Sequence, residues 1–304
     1  MDKPIIVSVV MITYNHEDYV EEAINSILSQ KCDFNFEFII SDDKSSDKTI
    51  TKIESIITKH PKGNCVRLIK QDPNIGMMNN FNFVLQEAKG KYIAICEGDD
   101  YWTDNSKLQK QFEVLENRKE IVLSFHNAII LNETTKNSNT FCHYKKDIYS
   151  GKELFDQWLI PTASAFFRNV IPTTPPPFLK EGTHGDMALF LFLGEHGDFH
   201  YIDSQMSVYR INDTGVTQSA FKGLEHNSKH IKQLEDMEVF FGSKYAAQLN
   251  ERISLYLLSN AQHYAVQKNK LESRKNLSLA IKRTPSLRLY KFVTIAKIIV
   301  KNYT

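Results

Sequence analysis

Through about the first 130 residues, short apolar runs alternate with stretches in which apolar side chains return every three or four positions. Ile5 to Ile12 is continuous except for Ser8, the pattern of a strand covered on both faces. Phe36–Ile40, Val66–Ile69, Tyr92–Cys96 and Ile121–Leu131 repeat that signature. Between them, Val20, Ala23, Ile24, Ile27 and Leu28 share one helical face, with Asn15 placed to cap the helix. Ser45, Ser46 and Asp47 form a capping cluster ahead of Ile50, Ile53, Ile56 and Ile57 at helical spacing. A loop, Asp72-Pro-Asn-Ile-Gly76, leads into a helix carrying Phe81, Val84, Leu85 and Ala88, and Asp104 can cap another with Leu108, Phe112 and Leu115. Strands separated by helices of this length predict right-handed crossovers and a mostly parallel central sheet flanked by helices, an α/β fold.

Residues 132 to 185 are less regular: a polar loop over Asn132–Asn139, a short helix near Gly151–Trp158 and a Pro-rich stretch, Pro172–Pro177. Long irregular segments inside a domain are often active-site loops. His184-Gly185-Asp186 then opens an apolar helix over Met187–Leu193. Phe199–Asp203 and Gln205–Arg210 read as two strands, followed by a polar loop, Ile211–Gln218. From about Phe221 the pattern is helical and carries no obvious chemistry, which sets a boundary between a domain of residues 1–220 and a helical region of 221–304.

In parallel sheets of this kind, ligands bind beyond the carboxyl ends of the strands. Three polar clusters fall there: Thr13-Tyr14-Asn15, Asp42-Asp43 and, after Tyr92–Cys96, Glu97-Gly-Asp99-Asp100. Composition narrows the uses open to them. A net charge of +1 gives no electrostatic case for nucleic-acid binding. Four cysteines without CxxC spacing argue against zinc or a disulfide framework and for reduced thiols in the cytosol. The N-terminus does not read as a signal peptide, and no apolar stretch reaches the roughly 18 residues of a spanning helix.

Asp99 and Asp100 sit at a strand exit where unpaired charge is costly, so a divalent cation such as Mg²⁺ or Mn²⁺, bridging to substrate phosphates, is the functional reading. The plain structural one is a carboxylate cluster at a helix entry. Asp42 and Asp43 suit either a turn before a helix or recognition of a nucleobase or ribose, with Tyr14 offering a ring to stack. Asn74 reads best as a turn residue, Gly76 lets backbone approach a phosphate, and Asn80 on the next helix can face the ligand. Asp186 is a helix cap or a general base, and His184 beside it is a loop residue. Arg210 is a diphosphate contact or a surface arginine at a strand end. The tail 281–304 has six basic and no acidic residues interleaved with apolar ones, so it lies on an anionic membrane or docks as a helix with a solvated basic face.

Taken together, Val7-Ser-Val-Val-Met-Ile-Thr-Tyr-Asn15, Ile40-Ser-Asp-Asp-Lys-Ser-Ser-Asp47, Asn74-Ile-Gly76, Gly90-Lys-Tyr-Ile and Glu97-Gly-Asp-Asp-Tyr-Trp102 resemble the family-two inverting glycosyltransferases of the GT-A, or nucleotide-diphospho-sugar transferase, fold. Residues 5–218 carry the resemblance, which is specific because five motifs occur in order. It implies a nucleotide-sugar half over 1–103 and an acceptor half over 104–220; it does not reach 221–304, which the periodicity alone makes a helical C-terminal extension. It further implies that Tyr14 and Asp43, with Asp42, hold the base of a nucleotide-sugar, and that Thr13, Asn15, Asn74, Gly76, Asn80, Asp99 and Arg210 complete the donor site. Asp99 and Asp100 match the family's metal- and ribose-binding pair, and Asp186 the catalytic base. In the family's Tyr-Arg-x-His segment, position 212 is Asn here, so that histidine is missing and its role is not assigned to Asn212. The processive members' Gln-x-x-Arg-Trp motif is absent, implying transfer of single sugars, from a UDP-sugar to a glycan or lipid-linked acceptor in bacterial surface-polysaccharide synthesis. The expected location is the cytoplasm or the inner face of the plasma membrane. Two rivals stand beside this reading: a sugar-phosphate nucleotidyltransferase, which would want a Gly-rich basic loop after the first strand, and an inert nucleotide-sugar-binding module.

Overall fold

The computed structural model describes residues 4–212 and 223–284. Residues 213–222, which hold most of the polar loop expected over Ile211–Gln218, and residues from 285 onward, with nearly all of the basic segment, lie outside the described residues. The chain divides into two compact units, one of Met1–Pro175 with Gly185–Asp213, the other of Pro176–His184 with Thr214–Thr304.

The first unit opens with β1 (Ile5–Thr13), α1 (Val20–Leu28), β2 (Asn35–Asp42), α2 (Thr49–Lys59), β3 (Val66–Lys70), α3 (Met77–Gln86) and β4 (Tyr92–Ile95). These strands pair in parallel in the order β3-β2-β1-β4. Val7, Val9, Val10 and Met11 are wholly buried, as a strand covered on both faces requires. Helix α1 buries the five apolar residues its periodicity singled out. Asn15 does not cap it. Tyr19 holds the N-cap position without a side-chain bond, because the Asn15 Oδ1 instead accepts the Ser46 N–H at 2.8 Å.

There follow β5 (Tyr101–Trp102), α4 (Lys107–Asn117), β6 (Ile121–Asn132), β7 (Ser138–Thr140), β8 (Ile148–Tyr149), β9 (Phe166–Arg168), α5 (Pro177–Lys180, in the second unit), α6 (Gly185–Leu193) and β10 (Asp198–Ile211). Strand β9 runs antiparallel between β4 and β6, and β6 pairs in parallel with β10. The sheet thus continues as β4-β9-β6-β10-β5, with β7 on β6 and β8 on β10. Phe166 and Phe167 of β9 are fully buried, yet three residues are too few to show a period. The two strands expected after Phe199 are one strand whose register slips between Ile202 and Ser207, a bulge that changes which face its side chains meet. The short helix expected near Gly151 is a 3-10 turn, Gly151–Phe155, opened by a Ser150/Glu153 capping box.

Lys107 of α4 is wholly buried. Its Nζ donates to the Gln111 Oε1 at 2.7 Å and stands 4.1 Å from the Trp102 ring centroid. Burial drives its pKa down to about 7. Gln111 in turn donates to the carbonyls of Ser124 and Ser164, each at 2.9 Å, tying α4 to β6 and to the turn before β9.

In the second unit, α5 packs on α7 (Leu224–Phe241), α7 on α8 (Ala246–Val266), and α8 on α9 (Lys270–Arg283). Leu234, Met237, Leu249, Ile253 and Ala261 are buried at most 1% exposed and form its core. Arg283 closes the bundle on Glu235 and Glu238. Among the described residues, no helix is long and apolar enough to cross a membrane.

Candidate active site

Both acidic clusters of the first unit lie over the carboxyl end of β1. The Gly98 N–H donates to the Ile12 carbonyl at 3.0 Å and the Asp43 N–H to the Thr13 carbonyl at 2.9 Å, so the two loops flank the strand exit.

On the β2 side the candidate residues form a self-supporting frame. Both oxygens of buried Asp42 accept from Ser45, its N–H at 2.8 Å and its hydroxyl at 2.5 Å, an arrangement usual for aspartate before a helix. Asp43 uses both oxygens on the N–H groups of Ile75 (2.7 Å) and Gly76 (2.9 Å). Asn74 returns the tie by donating to the Asp43 carbonyl at 2.7 Å. Gly76, with φ 84, takes a conformation that side-chain-bearing residues rarely adopt, and it begins α3. Tyr14 stands out from this frame, 48% exposed. Asn80 does not face an open edge. It is buried, and its amide is spent on Ser41, accepting from the hydroxyl at 2.5 Å and donating to the carbonyl at 2.9 Å.

On the β4 side, Asp99 and Asp100 differ sharply. Asp100 is buried, with Oδ1 accepting the Arg210 N–H at 2.9 Å and Oδ2 without any hydrogen-bond partner. Burial and the charges of Asp99 and Glu97 hold its pKa well above the usual carboxylate range. Asp99 keeps about a quarter of its side chain exposed (23%), and its Oδ2 is approached by Asn212 Nδ2 at 3.4 Å and His16 Nε2 at 3.9 Å. Burial, then the charges of Asp99 and Asp186, push the Glu97 pKa up to about 8. Four acidic side chains, Glu97, Asp99, Asp100 and Asp186, therefore lie near one another, and ionising all of them together is costly.

Arg210 is neither a diphosphate contact nor a surface arginine. Its side chain is 4% exposed and turned inward. It donates from Nη1 to the Asp99 carbonyl (2.8 Å), from Nε to Glu133 (2.8 Å) and from Nη2 to Glu22, and it stacks on Tyr101 with 4.3 Å to the ring centroid. The physical reason is burial and pairing: the fork is turned inward, 4% exposed, and engaged by two carboxylates and a carbonyl rather than presented to a ligand. Arg210 fixes the acidic turn instead.

Asp186, half-buried, lies in the first turn of α6, where the helix dipole favours its charge. Its Oδ1 accepts the Met187 N–H at 2.7 Å and its Oδ2 accepts the Thr162 hydroxyl at 3.3 Å. Burial raises its pKa. A second route couples it to the acidic pair: the Trp102 indole N–H donates to the Ala163 carbonyl at 2.8 Å, holding the turn Thr162–Ser164 from which Thr162 reaches Asp186. Glu97, Trp102, Thr162 and His16 are site residues to which sequence reasoning gave no role. Glu97 and Trp102 border the acidic pair directly, and His16 follows Tyr14-Asn15. Thr162 offered no local signal.

The donor set suits a hard divalent ion. Oxygen atoms of two adjacent carboxylates, one of them buried and unpartnered, match the one or two protein ligands that Mg²⁺ or Mn²⁺ takes when phosphates supply the rest. Among the described residues, no three His, Cys, Asp or Glu side chains could hold an ion by themselves, so a bound ion there would lean on its substrate.

Comparison with known proteins places this architecture. The profile of Glycosyl transferase family 2 matches residues 8–170. An uncharacterized protein of Mycobacterium tuberculosis is 33% identical over 221 residues, which is 70% of this chain and 61% of that protein. The chain thus spans less than two thirds of the first curated relatives it matches. The putative teichuronic acid biosynthesis glycosyltransferase TuaG of Bacillus subtilis is 26% identical over 77% of this chain and 89% of its own length. Among solved structures, S. aureus TarS 1-349 with UDP-GlcNAc superposes with a TM-score of 0.68 at 15% identity, covering 98% of this chain and 88% of that one. The mannosyltransferase PcManGT of Pyrobaculum calidifontis, with GDP-Man and Mn²⁺, gives a TM-score of 0.54 at 13% identity, over 98% of this chain and 80% of its own. The match covers more than half of the chain, the fold is that of the GT-A transferases, and the protein belongs to Glycosyl transferase family 2.

Proposed function

We propose that the protein is a metal-dependent, inverting glycosyltransferase that moves one sugar from a nucleotide-diphosphate sugar, a UDP-sugar in the first instance, to a hydroxyl of a glycan or lipid-linked acceptor in cell-surface polysaccharide synthesis. The observation that carries this is the unpartnered, buried Asp100 Oδ2 beside Asp99, with Asp186 in the same group of carboxylates. TuaG's name supports the surface-glycan context, and the UDP-GlcNAc of TarS and the GDP-Man and Mn²⁺ of PcManGT support the donor class and the metal.

On this reading the base of the donor stacks on the exposed Tyr14 ring, bordered by Thr13, Asn15, Asp42, Asp43, Asn74 and Gly76. Residues 1–103 form the donor half and 104–220 the acceptor half, with 221–304 as a helical extension. Asp99 and Asp100 would hold a Mg²⁺ or Mn²⁺ ion, whose charge stabilises the departing nucleoside diphosphate. Arg210 keeps the pair oriented through its backbone N–H and the Asp99 carbonyl. The acceptor oxygen attacks the anomeric carbon as its proton passes to Asp186, and the bond from that carbon to the diphosphate oxygen breaks in the same in-line step. The anomeric configuration inverts because no enzyme nucleophile intervenes. A lipid-linked acceptor would bring the enzyme to the inner face of the plasma membrane.

The deciding experiment is a panel of nucleotide-sugars in a thermal-shift and hydrolysis assay, with and without Mn²⁺. Stabilisation and turnover with UDP-sugars only when metal is present are expected. A response to nucleoside triphosphate plus sugar phosphate, with none to nucleotide-sugars, would replace sugar transfer with nucleotidyl transfer.

A further inference from the structure

We propose that His16 is a positioning residue for Asp99: its imidazole aligns the carboxylate so that one oxygen is presented to the cation of the donor complex. The inference rests on the sugar-transfer reading above and concerns a residue outside the acidic motif itself.

Two side chains from different strand exits approach the same oxygen of Asp99. Nε2 of His16, in the loop after β1, stands 3.9 Å from Oδ2, and Nδ2 of Asn212, just beyond β10, stands 3.4 Å from it. The imidazole hangs on a backbone anchored without help from Asp99. The His16 N–H donates to the Thr49 hydroxyl at 2.8 Å, and its carbonyl accepts from Tyr19 (3.0 Å) and Val20 (2.9 Å). Its other acidic neighbour, Asp47, already spends both oxygens on the N–H groups of Thr49 and Glu17.

The far edge of the ring is held as closely. A Cβ at Gly98 would stand 2.8 Å from His16 Nδ1 and 2.9 Å from Thr13 Oγ1, so the acidic turn is pressed against both side chains and only glycine fits between. Those two atoms are buried and have no hydrogen-bond partner. The imidazole is therefore confined between Gly98 and Asp99. With Oδ2 of Asp99 flanked by Nε2 and by Asn212, the oxygen left to a cation is Oδ1, and the adjacent residue, Asp100, also keeps its Oδ2 unpartnered. Groups that orient a metal-binding carboxylate in this way typically govern metal affinity by about 10–100-fold.

The test is calorimetric titration of UDP into the full-length protein, in Mn²⁺ and in EDTA, for wild type, His16→Leu and His16→Gln, with Asp100→Asn alongside. In His16→Leu, the affinity for UDP in Mn²⁺ should fall about 10–100-fold, with the affinity in EDTA unchanged. His16→Gln, whose amide N–H can take the place of Nε2–H, should recover most of the loss, which loosened packing would not. Wild-type affinity in His16→Leu would overturn the inference. So would an equal loss with and without Mn²⁺, which would mean that the imidazole touches the nucleotide itself. If Asp100→Asn loses metal-dependent binding while His16→Leu keeps it, only the role of His16 fails. If Asp100→Asn also keeps it, the metal-dependent reading fails with it.

Discussion

Asp100→Asn should make the protein more stable and less able to bind its donor, two changes of opposite sign from one substitution. The amide is nearly isosteric, and its oxygen can still accept the Arg210 N–H that now meets Oδ1 at 2.9 Å. What disappears is a carboxyl group that is 1% exposed, has no partner on Oδ2 and is held from ionising by burial and by its acidic neighbours Asp99 and Glu97. Keeping such a group in the fold at neutral pH, where the unfolded chain ionises it freely, costs several kcal/mol. Burying the new amide N–H group without a partner gives back about 1–3 kcal/mol of that. A net gain of roughly 1–3 kcal/mol remains, and at about 2–4 °C per kcal/mol for a unit of this size the ligand-free midpoint should rise by roughly 2–12 °C. Binding should move the other way. A ligand at 100 times its Kd stabilises by about 2.7 kcal/mol. Wild type should therefore shift upward in UDP plus Mn²⁺, and Asp100→Asn should not. Differential scanning fluorimetry of both proteins, with and without UDP and Mn²⁺, reads the two effects together. A variant less stable than wild type without ligand, or one that keeps the full metal-dependent shift, would refute the reasoning.

Asp186→Asn should keep donor affinity and lose about 10²–10⁴-fold in transfer rate; an unchanged rate, measured by nucleoside diphosphate release in the presence of acceptor, places the base elsewhere. Because burial raises the pKa of Asp186 and the base must be ionised to take a proton, wild-type transfer should begin to fail on the acid side at a pH above the ordinary carboxylate range. Lys107 gives a pH signature in stability. Its pKa falls from 10.5 to about 7 in the fold, so between those values the unfolded chain binds the extra proton and stability rises with pH, by about 1.4 kcal/mol per unit. Urea unfolding at pH 7 and pH 9 should show that slope in wild type and lose it in Lys107→Met; equal slopes would mean the amine is charged in the fold. Trp102→Phe strips the N–H from the bond to Ala163 and leaves a buried carbonyl unpaired, which should cost about 1–3 kcal/mol. Since that bond holds the Thr162 turn, kcat should fall more than KM changes in steady-state assays; a pure stability loss would separate the turn from catalysis.

The parallel half of the sheet was legible because its information is local. Each strand there is an apolar run within a few residues, each helix an apolar stripe, and the crossover rule turns their alternation into parallel strands. That Asp43 and the Asp99–Asp100 pair stand at the carboxyl ends of strands follows from that alternation alone, whereas the strand order does not. Strand β9 was not legible. Phe166–Arg168 is three residues long, and it is a strand only because β4 and β6 both present unpaired edges to it. Asn80 and Arg210 show the same boundary at the level of side chains. Each has a polar group suited to a ligand, and each spends it on partners 39 and 111 positions away in the sequence.

The amino-acid sequence by itself determined the family, the alternating strands and helices, and which acidic residues stand at strand exits, since all of these are written in short windows and fixed spacings. Only the tertiary structure decided which polar atoms remain without a partner. Arg210 turns inward, Asp43 ties down its neighbouring loop, Trp102 braces the turn behind Asp186, and Asp100 keeps one oxygen unspent. The reason is that hydrogen-bond satisfaction is a property of the whole packed interior: a donor's nearest acceptor is set by which distant segments the core brings together, and no local window contains them both.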